Sequence, residues 1–246
     1  WHLGDNYPFR PTDQGFHESL IHLSGGIGQV GDFTNYYKGN RSYFDPILWH
    51  NNEQKKYEGY CSDIFTDEAI KFIEENKSNQ FFCYLSFNAP HTPLQVPDKY
   101  YDLYKNVDPS VISESEKISM TEKNVLDAKR IYGMVTNIDD NVGKLVSKLK
   151  ELNIDKNTIL IFMTDNGPQQ FRYVSNLRGL KSSVYNGGIK VPFYLSYPKI
   201  HDVGLDLDNF SAHIDVLPSL LDLCDIETPK NIKIDGDRKS TRLNSS

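Results

Sequence analysis

The chain has 246 residues, 38% of them hydrophobic and 12% aromatic, with 15 Tyr and 13 Phe. That is enough for one sizeable core, and it excludes a disordered composition. No run of about 18 apolar residues occurs, so no membrane-spanning helix is encoded, and a net charge of −6 leaves no basic footprint for nucleic acid.

Residues 1–60 are rich in Gly, Asn and Tyr with little periodicity. They read as a long surface excursion with short strands, of the kind that lines binding sites. Thr66-Asp67-Glu68 reads as a helix start, a capping hydroxyl followed by acids; Ala69, Ile70, Phe72 and Ile73 follow at helical spacing to about Asn76. Residues 81–87, a short apolar run, predict a buried strand that stops at Asn88-Ala89-Pro90-His91. Residues 98–124 are polar and predicted helical in part. Ile131, Val135, Ile138, Val142, Leu145, Leu149 and Leu152 alternate steps of four and three, an amphipathic helix with one buried stripe. Residues 158–164 predict a second buried strand ending at Asp165-Asn166-Gly167. Residues 191–195 predict a third, and residues 212–223 a last helix. Continuous apolar strands between helices argue for an α/β layer sandwich, whose ligands sit beyond the carboxyl ends of the strands. His91 and Asp165-Asn166 both fall there.

Cys61, Cys83 and Cys224 are scattered, with no CxxC spacing; Cys83, in an apolar run, reads as a small core residue. From Arg238 the chain becomes RKSTRLNSS, and residues 237–246 read as a non-native tail. The chain opens at Trp1, so the lack of a signal peptide carries no information on secretion.

Four polar clusters could carry chemistry. Asp165 and Asn166 offer hard oxygens suited to Ca²⁺ or Mg²⁺, or else form an Asn-Gly turn. His91 sits between Pro90 and Pro93, which restrict the backbone. It can donate a proton to a leaving oxygen or serve as a loop histidine bonded to a carbonyl. Lys181 could neutralise an oxyanion or be an ordinary solvated lysine. His2 lies in Trp1-His2-Leu3-Gly4 and has no upstream neighbours to weigh it by. Asp139 and Asp140, mid-helix, read as structural hydrogen-bonding groups.

Taken in order, these clusters resemble the type I sulfatases of the alkaline phosphatase superfamily. The likeness rests on Trp1-His2-Leu3-Gly4, Ala89-Pro90-His91-Thr92-Pro93, Asp165-Asn166-Gly167, Leu177 to Lys181 with Tyr185 to Pro192, and the helix pattern from Tyr132 to Gly143. It implies an α/β fold with a mixed, mostly parallel sheet between helices, incomplete here. Residues 1–236 would form part of the catalytic domain, with the nucleophile segment and a C-terminal subdomain outside it. It also implies hydrolysis of sulfate esters, of a sulfated carbohydrate above all, by a formylglycine with a calcium ion.

Carried across, Asp165 and Asn166 would ligate calcium, with Mg²⁺ the less favoured ion. His91 would contact sulfate and protonate the leaving oxygen, Lys181 would bind a sulfate oxygen, and His2 would bond the formylglycine. Gln169 and Arg172, by position, and Arg178 would reach substrate, although Arg178 could instead pair with a carboxylate as scaffold. A periplasmic or extracellular location would follow. Departures are plain: no Cys/Ser-x-Pro/Ala-x-Arg occurs in the 246 residues, and Asn186 replaces the usual Glu of the Glu-Gly-Gly turn. The 246 residues alone are therefore expected to be inactive on an aryl sulfate. Two other readings remain: a phosphatase or phosphonate hydrolase with the same oxyanion clamp, and a non-catalytic binder of sulfated glycans.

Overall fold

The computed structural model describes residues 1–199, 204–206 and 211–238; residues 239–246, most of the expected tail, lie outside these. In chain order the regular elements are β1 (Leu20–Ile21), β2 (Ile47–His50), β3 (Glu53–Lys56), α1 (Cys61–Asn76), α2 (Asp98–Tyr101), α3 (Glu122–Glu151), β4 (Leu160–Met163), α4 (Asn186–Ile189), β5 (Phe193–Ser196) and α5 (Val216–Leu223).

The first 60 residues are more than a surface excursion. The short strands β1, β2 and β3 form an antiparallel sheet in that order. Ile27, Tyr43 and Leu48 are fully buried and join Ile64, Phe65, Met134 and Ile138 in the main core. A sequence of turns can enter a core because its polar groups are paired inside it. Asp32 and Asn35 are fully buried; Asp32 accepts from the Gly28 amide at 2.7 Å, and Asn35 bonds both the N–H and the C=O of Ile47 at 2.9 Å.

Helix α1 begins five residues before the expected Thr66. That hydroxyl does not cap the helix. It is fully buried and donates to the Ser62 carbonyl one turn back, at 2.9 Å, the in-helix alternative open to threonine. Helix α3 runs from Glu122, capped by Thr121, whose Oγ1 accepts from the Asn124 amide at 3.2 Å. Its stripe packs on α1 through Ile131, Met134, Ile138, Leu145 and Leu149. Met134 replaces the expected Val135, which is 48% exposed. The same face carries two fully buried asparagines, Asn137 and Asn141, and both donate to one Asp63 oxygen on α1, each at 2.7 Å. Asp140 accepts from the Tyr100 hydroxyl at 2.9 Å, tying α2 to α3, the structural role expected of it.

The strands depart most from expectation. Residues 81–87 alternate half-buried and exposed side chains as a one-sided strand does. Leu85 and Phe87 face the core while Phe82 and Tyr84 are each 64% exposed. This segment pairs with no strand among the described residues. β4 and β5 pair with each other, antiparallel, from Leu160 opposite Ser196 to Met163 opposite Phe193. They are half-exposed rather than buried, Tyr194 by 66%. The α/β class stands, but both described sheets are antiparallel, so the parallel part of the expected sheet is not among them. Cys61 is buried, and burial pushes its thiol up to about 12. Cys83 is half-buried, with its thiol pushed up for the same reason. Neither thiol is primed as a nucleophile.

Candidate active site

The predicted site residues gather in two groups. The first is built by residues 24–32 and 88–92. His91 is exposed, and its backbone is pinned by the Tyr43 hydroxyl, which donates to the His91 carbonyl at 2.8 Å. Tyr43 is buried, and burial raises its pKa, so the phenol remains a donor. The Asn88 amide in turn donates to the Tyr43 oxygen, while Asn88 Oδ1 accepts from the Ile27 N–H at 3.3 Å. The imidazole is engaged on one side only. Nδ1 lies 2.9 Å from the Thr92 carbonyl and 3.1 Å from Gln29 Nε2. Among the described residues, Nε2 has no partner.

His2 belongs to the same group through the other end of the 24–32 loop. Its ring rests on Gly25, where a Cβ would stand 2.7 Å from His2 Nε2, and Asp5 accepts from the Ser24 amide at 3.0 Å. His2 itself holds φ +75°, a conformation that costs a side-chain-bearing residue energy.

The second group lies past the end of β4. Asp165 is exposed and Asn166 half-buried. The Gly167 amide donates to the Gly188 carbonyl at 2.9 Å, and the Lys181 amide donates to the Pro168 carbonyl at 2.8 Å. Gly187 N–H donates to the Arg178 carbonyl at 2.7 Å. Two backbone bonds thus tie the 177–189 segment to the Asp165-Asn166-Gly167 turn, and the third closes that segment on itself. Side chains could not fit between them. A Cβ on Gly167 would stand 1.9 Å from the Gly187 oxygen. Gly167→Ala therefore must separate the two loops, at an overpacking cost of about 1–3 kcal/mol. Hydrogen exchange checks this: the Lys181 amide is expected to lose protection in the variant while α3 amides keep theirs.

Lys181 is half-buried and its ammonium makes no ion pair among the described residues. Arg178 pairs with no carboxylate among the described residues; its guanidinium stacks over the Tyr185 ring, 4.0 Å from the centroid. Arg172 is half-buried, and burial lowers its pKa. Its Nη1 donates to the Gln170 carbonyl at 3.3 Å, and no described carboxylate compensates its charge. Gln169 is exposed. His213, unremarked in the sequence, bonds the Thr164 carbonyl at 2.9 Å and so supports the turn from behind. No hydrogen bond among the described residues joins the two groups.

Asp165 and Asn166 are hard oxygen donors of the kind Ca²⁺ takes, but that ion needs about 6–8 oxygens. No cluster of three or more His, Cys, Asp or Glu exists among the described residues. These two residues fit the ion in kind and not in number, and do not hold it by themselves.

Sequence reasoning missed Gln29, Tyr43 and Asn88. Each acts on a partner 45–63 positions away, and no local pattern marks such a residue.

A family model described as Sulfatase matches residues 6–226. An uncharacterized sulfatase of Escherichia coli K12, YdeN, is 29% identical over 255 aligned positions, covering 96% of this chain and 42% of its own length. An ulvan-active sulfatase of Formosa agariphila is 28% identical over 198 positions, covering 76% of this chain and 37% of its own. The crystal structure of Ps i-CgsB in complex with k-i-k-neocarrahexaose matches with a TM-score of 0.81 at 29% identity, over 99% of this chain and 53% of that one. The chain spans about half the length of the relatives it matches.

Proposed function

Since the chain belongs to the sulfatase family, we propose that the protein it comes from hydrolyses sulfate esters of a sulfated carbohydrate. The observation that carries this reading is the backbone lock between the Asp165-Asn166-Gly167 turn and the Lys181 loop. It joins the loop that carries Lys181, whose ammonium makes no ion pair among the described residues, to the turn that carries two hard oxygen donors, so an oxyanion-binding cation and metal-binding oxygens come from adjoining segments. Arg172 adds a second cation that no described carboxylate neutralises, and with Gln169 and Arg178 it supplies polar contacts for a sugar.

His91, with Nε2 unengaged, donates the proton to the leaving alcohol oxygen as the S–O bond breaks. Lys181 binds a non-bridging sulfate oxygen and steadies the charge that develops there. His2 bonds the attacking group. The family uses a metal ion and a formylglycine. In this reading the ion is Ca²⁺ in preference to Mg²⁺, Asp165 and Asn166 are two of its ligands, and the ion polarises the sulfate when bound. The attacking residue is not among these 246, which contain no sequence for its modification. A periplasmic or extracellular site of action accompanies a polymeric sulfated substrate, and no described helix is long and apolar enough to cross a membrane.

The test is the complete gene product, purified and offered an aryl sulfate, the matching aryl phosphate and a panel of sulfated oligosaccharides. Sulfate release from at least one sulfated sugar, with the phosphate a poorer substrate, is expected. Preference for the phosphate would make the protein a phosphatase or phosphonate hydrolase. Binding of the oligosaccharides without turnover of any ester would make it a glycan binder.

A further inference from the structure

The mechanism above uses the Nε2 side of His91 and leaves open what fixes the ring. We propose that Gln29 is a positioning residue for the proton donor, acting through the Thr92 carbonyl; this rests on the proposed role of His91.

The geometry is specific. Gln29 Nε2 lies 2.7 Å from the Thr92 carbonyl oxygen, 3.2 Å from Thr92 Oγ1 and 3.1 Å from His91 Nδ1. His91 Nδ1 lies 2.9 Å from the same Thr92 oxygen. The amide of Gln29 must present its nitrogen here, since its oxygen would face the Thr92 carbonyl, acceptor against acceptor. A carbonyl oxygen has two lone pairs. It takes one Gln29 N–H at the shortest distance of the set, the second Gln29 N–H goes to Thr92 Oγ1, and the imidazole N–H shares the carbonyl, so the 3.1 Å approach of Gln29 Nε2 to Nδ1 is that of two donors converging on one oxygen.

Thr92 O therefore selects the imidazole tautomer that carries hydrogen on Nδ1, and Gln29 holds that carbonyl in place to do so. In the imidazolium both nitrogens are protonated. When Nε2 gives up its proton to the leaving oxygen, the neutral ring that remains keeps the Nδ1 hydrogen and its bond to Thr92. The acid and its conjugate base then share one ring position, and no rotation has to accompany proton transfer.

The loop that carries Gln29 is itself anchored to the same segment at a second point, the Ile27 N–H on Asn88 Oδ1. Gln29 therefore reaches across a fixed gap. Residues 24–32 also carry Gly25, on which His2 rests, so one loop sets the position of both histidines.

The test is ¹⁵N NMR of the imidazole rings of the complete gene product, labelled at histidine, in wild type and in Gln29→Met and Gln29→Ala. His91 is assigned by the signal lost in His91→Asn. In wild type at a pH where the ring is neutral, His91 is expected to show one dominant tautomer with hydrogen on Nδ1. Gln29→Met keeps length and bulk but removes the donors. It is expected to shift the ring nitrogens toward the averaged values of mixed tautomers, as is Gln29→Ala, while the other histidine signals stay put. A wild-type ring with hydrogen on Nε2, or a Gln29→Met spectrum matching wild type, would overturn the proposal, the latter reducing Gln29 to packing. If a variant misfolds, all histidine signals move, and Gln29→Leu then serves instead: it too removes both N–H donors and must also abolish the single tautomer. None of these readouts depends on sulfate turnover, so a failed ring assignment and a failed sulfatase assay remain separate results.

Discussion

Replacing Asp63 with alanine is expected to destabilise the protein by about 3 kcal/mol. One carboxylate oxygen of Asp63, on α1, receives the side-chain amides of Asn137 and Asn141 from α3, each at 2.7 Å. Both asparagines are fully buried, so neither amide can turn to water when the acceptor goes. Each stranded donor costs about 1–3 kcal/mol, and the donors bonded a charged partner, which strengthens the bond lost. For a domain of this size that loss lowers Tm by roughly 6–12 °C. A urea or thermal melt of Asp63→Ala measures it directly. The triple change Asp63→Ala, Asn137→Leu, Asn141→Leu removes donors and acceptor together and should recover part of the loss, because paired removal of buried polar groups is far cheaper than removal of one side. A single variant as stable as wild type would mean that the three groups do not bear on the α1–α3 contact.

Loss of the His91 side chain should be graded by the leaving group. If His91 protonates the departing oxygen, His91→Ala in the complete gene product lowers kcat by about 10²–10⁴-fold on a sulfated sugar, whose alkoxide leaves poorly. On a nitroaryl sulfate, whose leaving oxygen needs little proton, the same variant should lose far less. Lys181→Ala contrasts with it. An ammonium that binds a non-bridging oxygen serves every sulfate ester alike, so roughly 10²-fold is expected to disappear from both substrates. Plots of log kcat against leaving-group pKa separate the two residues: His91→Ala steepens the line, and Lys181→Ala moves it down in parallel. Equal losses on both substrates for His91→Ala would remove it as the acid and leave it a sulfate contact.

The helices were legible where a periodic stripe met a solvent face, and the misreadings have local causes. Val135 fitted the four-three rhythm as well as Met134, but a stripe drawn from apolar residues alone skips Asn137 and Asn141, which are buried on that face. Including them rotates the stripe by a fraction of a turn and puts Met134 inside. Thr66 looked like a cap because a hydroxyl can serve a helix end or its interior equally well. Residues 81–87 read as a buried strand from a short apolar run, but whether a strand is covered on one face or two depends on what packs over it. Of the candidate site, His2, His91, Asp165, Asn166 and Lys181 are proposals that the sequence motifs already suggested. The sequence could not show Gln29 or Tyr43, whose partners lie far along the chain and whose roles come from the path of the backbone.

The run from Phe81 to Phe87 has a consequence for anyone who handles the protein. Seven residues, all but Ser86 apolar or aromatic, with every second side chain in water and no ladder neighbour among the described residues form a sticky, open-sided ribbon. It contains no proline, glycine or charge, the features by which sheet proteins usually guard such edges. In a concentrated solution two copies can satisfy one another along it, with Phe82 and Tyr84 as the adhesive face. Association of copies of this polypeptide is therefore expected along that ribbon, and mild detergent or dilution would counter it better than salt.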